Sequence, residues 1–351
     1  MKRWIRRGVL AGVATMLVVG LAGVAGWRAL DLEGQPRADP RSTPADLVFL
    51  RDAAVPARGR ILAVVTSAAH FPDGVKKAGF ELTELARAYY VFQANGYQVD
   101  IASPRGGLPP MRRDDEDMED ADHAFLNDAA AQRKLAASLR IADVDPSRYD
   151  AVFFVGGKGT MFDFPDDPAI QRVVRQVYQA GGVVGAVCHG PAALLEVRLD
   201  DGTPLLRGRR VTGFSNAEEL FLIEDARARF PYLLQDRLQA KGAHYVEAPM
   251  YLDNTVVDGR LVTGQNPWST WSTADAMVRA LGHAPVARAR TRAEYAVEVL
   301  AIYHRDGPAA ARQARTARPD ADRRLLLMHA LVAGMQGRLG DAWRLQRLAH
   351  G

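Results

Sequence analysis

Cys188 is the one cysteine in 351 residues, and the residues beside it have the types and spacing that could do chemistry. In Val183-Val184-Gly185-Ala186-Val187-Cys188-His189-Gly190-Pro191, an apolar strand-like run stops at the cysteine and Pro191 opens a helix. Ala186 and Gly190 lie two residues to either side. This is the small-x-nucleophile-x-small pattern of a nucleophile elbow. Its reason is steric: the corner residue takes a strained backbone, bulky neighbours at plus or minus two would collide, and the sulfur is pushed out over the sheet. A helix N-terminus just beyond is expected to favour thiolate over thiol, and Pro191 costs nothing in a first turn. His189 adds a group able to carry protons near neutral pH. A lone cysteine is otherwise a small buried hydrophobe. Here strand, small flanks, adjacent histidine and proline-started helix coincide, and a reactive role follows. One cysteine also excludes an intramolecular disulfide and a multi-cysteine metal site.

The elements that must position this corner follow an α/β rhythm. Residues 60–66, 97–102, 149–155 and 183–187 are short apolar runs of strand length. Residues 81–95 and 170–180 carry apolar side chains at three- and four-residue intervals and stop at glycines, and a further helix starts near Pro191. Buried strands separated by helices predict a parallel sheet covered on both faces, with ligands at the carboxyl ends of its strands. The mixed-charge stretch 111–128 reads as a solvated surface excursion. From about Thr291 the composition turns to Ala, Arg and Leu, with helices expected near 292–304, 307–317, 321–336 and 340–349. Gly307-Pro308-Ala309 and Gly340-Asp341-Ala342 recur at close to a tetratricopeptide period, but two helix pairs are fewer than such arrays need to stand alone. The expectation is a small helical appendage packed on the main domain or on a protein partner.

Several stretches together resemble a known family. Gly156-Gly157-Lys158-Gly159-Thr160-Met161-Phe162-Asp163 and Ala186-Val187-Cys188-His189-Gly190-Pro191 resemble the PfpI superfamily of class I glutamine amidotransferase-like proteins. Lys77-Ala78-Gly79-Phe80-Glu81-Leu82-Thr83-Glu84, Val211-Thr212-Gly213-Phe214-Ser215-Asn216-Ala217-Glu218-Glu219 and Gly259-Arg260-Leu261-Val262-Thr263-Gly264-Gln265-Asn266-Pro267 are similar to its branch of glutathione-independent glyoxalases (glyoxalase III) and stress chaperones. The resemblance implies a flavodoxin-like, doubly wound parallel sheet. It puts the nucleophile on Cys188, the base on His189 and the carboxylate orienting it on Glu219, with Glu218 adjoining. Glu84 matches the acid that hydrogen-bonds the sulfur, and Gly157 the oxyanion-side backbone. The branch has Gly-Gly-His-Gly where this chain has Lys158. An ammonium there favours a thiolate but does not replace an imidazole as a proton shuttle near pH 7.

The activity so implied is conversion of methylglyoxal or a similar 2-oxoaldehyde to a hydroxy acid, with a small aldehyde as substrate and no dissociable cofactor. A non-enzymatic stress or redox sensor, or a holdase, using the same cysteine is the alternative. A glutamine amidotransferase is disfavoured: its late His-x-Glu element has only His244-Tyr245-Val246-Glu247 to match it, and residues three apart on a strand face opposite ways. Gln265-Asn266-Pro267 reads as a turn. Family members are commonly dimers, so a homo-oligomer is implied.

Composition bounds the rest. Hydrophobic residues are 48% and charged residues 25%, with a formal charge of +4, which describes an ordinary globular chain. No basic stripe interleaved with aromatics, zinc pattern or phosphate loop points to nucleic acid. Lys2, Arg3, Arg6 and Arg7 precede an uncharged apolar run over residues 8–27, about 20 residues and long enough to cross a bilayer core of ~30 Å. It reads as a single-pass anchor in the inner (cytoplasmic) membrane with the domain facing the periplasm or exterior, or as a cleaved signal peptide. The expected divisions are an anchor at 1–30, a linker at 31–57, the α/β domain at 58–283 and the helical appendage at 284–351.

Overall fold

The apolar runs become the middle of one sheet. In the computed structural model, which describes residues 35–350, seven strands form it: β1 (Gly59–Val64), β2 (Tyr97–Ser103), β3 (Leu139–Arg140), β4 (Ala151–Phe154), β5 (Val183–Val187), β6 (Thr255–Asp258) and β7 (Leu261–Gly264). Their order is β6-β7-β5-β4-β1-β2-β3. Every neighbouring pair is parallel except β6 with β7. Each residue of β4 and β5 is buried, as strands covered on both faces require. The covering helices include α1 (Leu82–Ala94), α2 (Pro168–Gln179) and α4 (Thr270–Ala280), while the shorter α3 (Asn216–Leu222) packs on neighbouring helices. From β1 the chain builds outward to β2 and β3, then returns to the other side of β1 for β4 and β5. The carboxyl ends of β1, β4 and β5 therefore flank the point where strand order reverses, the usual crevice for a ligand in such sheets.

Four further helices, α5 (Arg292–Asp306), α6 (Pro308–Ala317), α7 (Arg323–Met335) and α8 (Leu339–His350), follow the sheet. They share a second apolar cluster built on Val299, Leu300, Leu326 and Leu345, which also takes in Leu252 from the α/β region. At the other end, Pro40 and Ser42 carbonyls accept from Asn127, Leu47 is buried, and Phe49 stands edge-on to Trp271.

Three expectations are corrected. The stretch 111–128 is solvated only in its first half: Met118, Ala121 and Asp122 are buried, and a helix at Asp120–Asn127 is pinned by the Asp122–Arg87 ion pair at 2.9 Å. The helix after Cys188 is one short 3-10 segment, Gly190–Leu194, too brief to carry a sizeable macrodipole. The transmembrane helix does not stand either. Among the described residues no helix is long and apolar enough to cross a membrane, and residues 8–27, the apolar run behind the basic cluster on which the reading rested, lie outside the described residues. The inner-membrane, single-pass placement derived from them falls with it.

Candidate active site

β5 ends at Val187, and the next residue makes the corner. Cys188 has φ +58°, one of two non-glycine residues with positive φ among those described. This left-handed conformation is strained for a side-chain-bearing residue. Backbone bonds clamp it: the Cys188 N–H donates to Gly264 on β7, and its carbonyl accepts from Phe214. Gly190 is held tightly too, since a Cβ there would lie 2.3 Å from the Phe154 carbonyl oxygen at the end of β4. The small flank demanded by the elbow thus has a structural cause.

His189 lies on the sulfur. Its Nδ1 is 3.2 Å from Cys188 Sγ, and its Nε2 is 2.5 Å from Glu219 Oε2. The imidazole stacks on Phe214, with ring centroids 4.5 Å apart. Burial works against the Glu219 charge, but His189, Lys158 and Lys76 outweigh it and hold the carboxyl below its ordinary range. Glu219 therefore stays ionised and fixes the histidine's orientation.

Glu84, in the first turn of α1, approaches from the opposite side. Its Oε2 accepts the Gly156 N–H at 2.7 Å, and the carboxyl contacts the Cys188 sulfur. Full burial pushes Glu84 up to about 8, so at neutral pH it is protonated and can donate to sulfur. Burial pushes the Cys188 thiol up, and a charge on this carboxyl would push it further, against a smaller opposing pull from Lys158. The expectation of a thiolate favoured by a helix end is reversed, because Cys188 is buried, 3% exposed as a residue, and the helix beyond it is short. Gly157 takes φ +107°, and a Cβ there would lie 2.4 Å from the Gly79 carbonyl oxygen. Lys158 is half-buried next to it.

The expected residues Cys188, His189, Glu219, Glu84, Gly157 and Lys158 thus converge at the ends of β4 and β5. Glu218 turns away from the sulfur. Its carboxylate accepts from the Ser215 N–H (2.9 Å), the Tyr251 N–H (2.8 Å) and Asn266 Nδ2 (2.9 Å). Ser215 in turn accepts from the Glu218 N–H, which completes a capping box at the start of α3. The resemblance chose Glu219 with Glu218 a near miss, and local sequence could have supported that choice: the spacing Ser215-x-x-Glu218 is the capping-box signature and marks Glu218 as the structural one. Asn266 does more than turn the chain, since it braces Glu218. His244 and Glu247 are both exposed and take no part. Among the described residues no group of three or more His, Cys, Asp or Glu is placed to hold a metal ion.

With this geometry in view, residues 75–280 match the model of the DJ-1/PfpI family. The chain belongs to the DJ-1/PfpI family. Within it, Glyoxalase 3 of Candida albicans is 35% identical over 223 residues, 60% of this chain and 92% of that protein. The crystal structure of glyoxalase III from the same yeast superimposes with a TM-score of 0.57 at 32% identity, covering 63% of this chain and 97% of that one. A glutathione-independent glyoxalase of Schizosaccharomyces pombe is 32% identical over 241 residues, 64% of this chain and 99% of that protein. Rapid Encystment Protein 24 kDa of Francisella tularensis has a TM-score of 0.60 at 35% identity, covering 64% of this chain and 99% of that one. The family match ends before α5 begins, so α5–α8 lie outside it.

Proposed function

We propose that this DJ-1/PfpI chain is a glutathione-independent glyoxalase acting on 2-oxoaldehydes. The observation that carries the reading is the relay from Cys188 Sγ to His189 Nδ1 (3.2 Å) and from His189 Nε2 to Glu219 (2.5 Å), in a chain similar to glyoxalases over nearly their whole length.

The thiol adds to the aldehyde carbon, and its proton passes through His189 to the aldehyde oxygen, giving a hemithioacetal. His189 then removes the hydrogen on that carbon, forming an enediol, and returns a proton to the adjacent carbon. The product is a thioester of the 2-hydroxy acid. Water hydrolyses it, releasing the acid and the free thiol. No external oxidant or reductant enters, because one carbon is oxidised while its neighbour is reduced. Ionised Glu219 stabilises the imidazolium that forms twice in the cycle. Protonated Glu84 steadies the sulfur when it carries charge, and the backbone at Gly157 faces the developing oxyanion. A thiol with a raised pKa suits this scheme, since His189 takes the proton as the bond forms. It suits less well the alternative of a sensor, which needs an accessible, acidic cysteine. The shuttle is His189 itself, so lysine at 158 leaves the proton path complete.

The test is lactate formation from methylglyoxal without glutathione by the full chain and its Cys188→Ser variant. Turnover that disappears in the variant is expected. A wild-type chain that alkylates at Cys188 yet turns over neither methylglyoxal nor a carboxylated 2-oxoaldehyde would sink the reading.

A further inference from the structure

Beside the candidate site lies a cleft of about 220 Å³. Four cations line it, Lys76, Lys77, Arg112 and Lys158, against one carboxylate, Glu81. Among the described residues the four cations appear in no ion pair; the Lys76 ammonium lies 5.3 Å from the centroid of the Phe71 ring, and its backbone N–H donates to Asp73. The nearby acids Asp73 and Asp225 both pair with Arg229, while Lys76 also acts on each of them. Lys76 and Lys158 are half-buried over a floor that includes buried Ala78 and Ile223. An ammonium group that loses water without gaining a carboxylate is held at a cost, which an incoming anion would offset.

The cleft is separated from the reacting groups by one layer of backbone: the N–H of Glu81, in its wall, donates to the Gly156 carbonyl, and a Cβ at Gly156 would lie 2.8 Å from that of Cys188. Cys188 does not line it, but Lys158 and Glu81 do, and both exert their charge on the Cys188 sulfur. Lys158 and Lys76 also act on Glu219. The cleft floor at Ile223 closes α3, where its N–H donates to the Glu219 carbonyl. A molecule with its carbonyl over Cys188 would have its far end in the field of these cations.

We infer that this site selects an anionic substrate, a 2-oxoaldehyde carrying a carboxylate or phosphate beyond the reacting carbons, over neutral methylglyoxal. The inference rests on the glyoxalase reading for the reaction, though the charge preference belongs to the cleft alone. Clefts lined by one sign of charge raise the local concentration of oppositely charged ligands, and the effect fades with salt.

The test separates the two. Iodoacetate and iodoacetamide alkylate the same sulfur with loss of iodide and differ in charge. The full chain is treated with each at low salt and in added sodium chloride, with N-acetylcysteine as the free-thiol reference. The iodoacetate-to-iodoacetamide rate ratio at Cys188 is expected to exceed the reference ratio about tenfold at low salt. It should collapse toward the reference in high salt and in Lys77→Glu and Arg112→Glu, which change cleft residues outside the reacting groups. A ratio no higher than the reference, or one insensitive to salt and to both variants, overturns the inference. Inorganic phosphate and succinate are then added as protectants. Stronger protection by phosphate assigns a phosphorylated substrate, stronger protection by succinate a carboxylated one, and protection by neither also overturns it. Anion-selective alkylation in a chain that turns over neither methylglyoxal nor a carboxylated 2-oxoaldehyde would sink the glyoxalase reading and leave the cleft's selectivity standing.

Discussion

At the scale of single residues, the candidate site is a problem in where protons reside. Glu84 is fully buried and rises from 4.5 to about 8. In the unfolded chain it ionises near its ordinary value, so between about 4.5 and 8 the native state binds the extra proton. Stability contributed by this group is complete below about 4.5 and is lost as pH rises through about 8. Glu84→Gln keeps a neutral group that accepts from the Gly156 N–H, and it removes this titration. Urea unfolding at pH 5 and pH 8 should show the variant gaining on wild type by a few kcal/mol across that interval. An unchanged difference between the two proteins would mean that Glu84 ionises normally. Cys188, His189 and Glu84 were legible in the sequence because an elbow and a resemblance name positions. The direction of the thiol's shift was not, because burial depends on what the fold lays over the sulfur. Local sequence showed only a helix start, and that start proved to be five residues long.

At the scale of elements, α3 carries one glutamate that faces His189 and one that braces the frame. Glu218 is buried, and its carboxylate accepts from three donors on Ser215, Tyr251 and Asn266. Glu218→Gln turns one acceptor oxygen into a donor facing those N–H groups. It should cost about 1–3 kcal/mol in thermal or urea unfolding. Glu219→Gln loses the charge beside His189 instead. Its expected mark is a fall in lactate formation and a displaced pH profile of Cys188 alkylation, with a smaller change in stability. Equal losses of stability in the two variants would contradict this division. The central strands were readable because β1, β2, β4 and β5 are apolar runs of the right length. The helix at Asp120–Asn127 was not, since its mixed charges look like a solvated face. Only the fold reveals that Asp122 meets Arg87, 35 residues away in sequence, inside the core. The same loop delivers Arg112 to the cationic cleft, a placement that no local pattern announces.

At the scale of the whole molecule, the question is how the helices beyond the family match are tied to the site. The path is short. The Tyr251 carbonyl faces the ring of His329 on α7, the Tyr251 N–H holds Glu218, and the next residue, Glu219, holds His189. Tyr251 itself has φ +59°, a conformation that persists only where the surroundings enforce it. The sequence showed four helical segments and where they break, but not the face they cover, because a partly apolar helix is equally consistent with a partner protein. A basic cluster and an apolar run of membrane-spanning length were likewise readable at residues 2–27, but they lie outside the described residues, among which no helix is long and apolar enough to cross a membrane. The contact between α7 and Tyr251 makes a pH prediction. Burial, with His304 and Arg338 nearby, lowers His329 from 6.5 to about 4. Once α7 detaches, the imidazole can bind a proton that the docked ring refuses. The stability it contributes is complete above about 6.5 and is lost as pH falls through about 4, on the order of 3 kcal/mol in all. Hydrogen exchange should show α7 and α8 losing protection relative to α1 between pH 7 and pH 4. In His329→Leu, and in the milder His329→Gln, that extra loss should vanish, because neither side chain titrates. If α7 opens equally in wild type and both variants, the acid sensitivity belongs to other groups and His329 is packing alone. If opening follows His329, lactate formation should fall with it over the same pH interval, since Glu218 and Glu219 are braced through the Tyr251 loop that α7 covers.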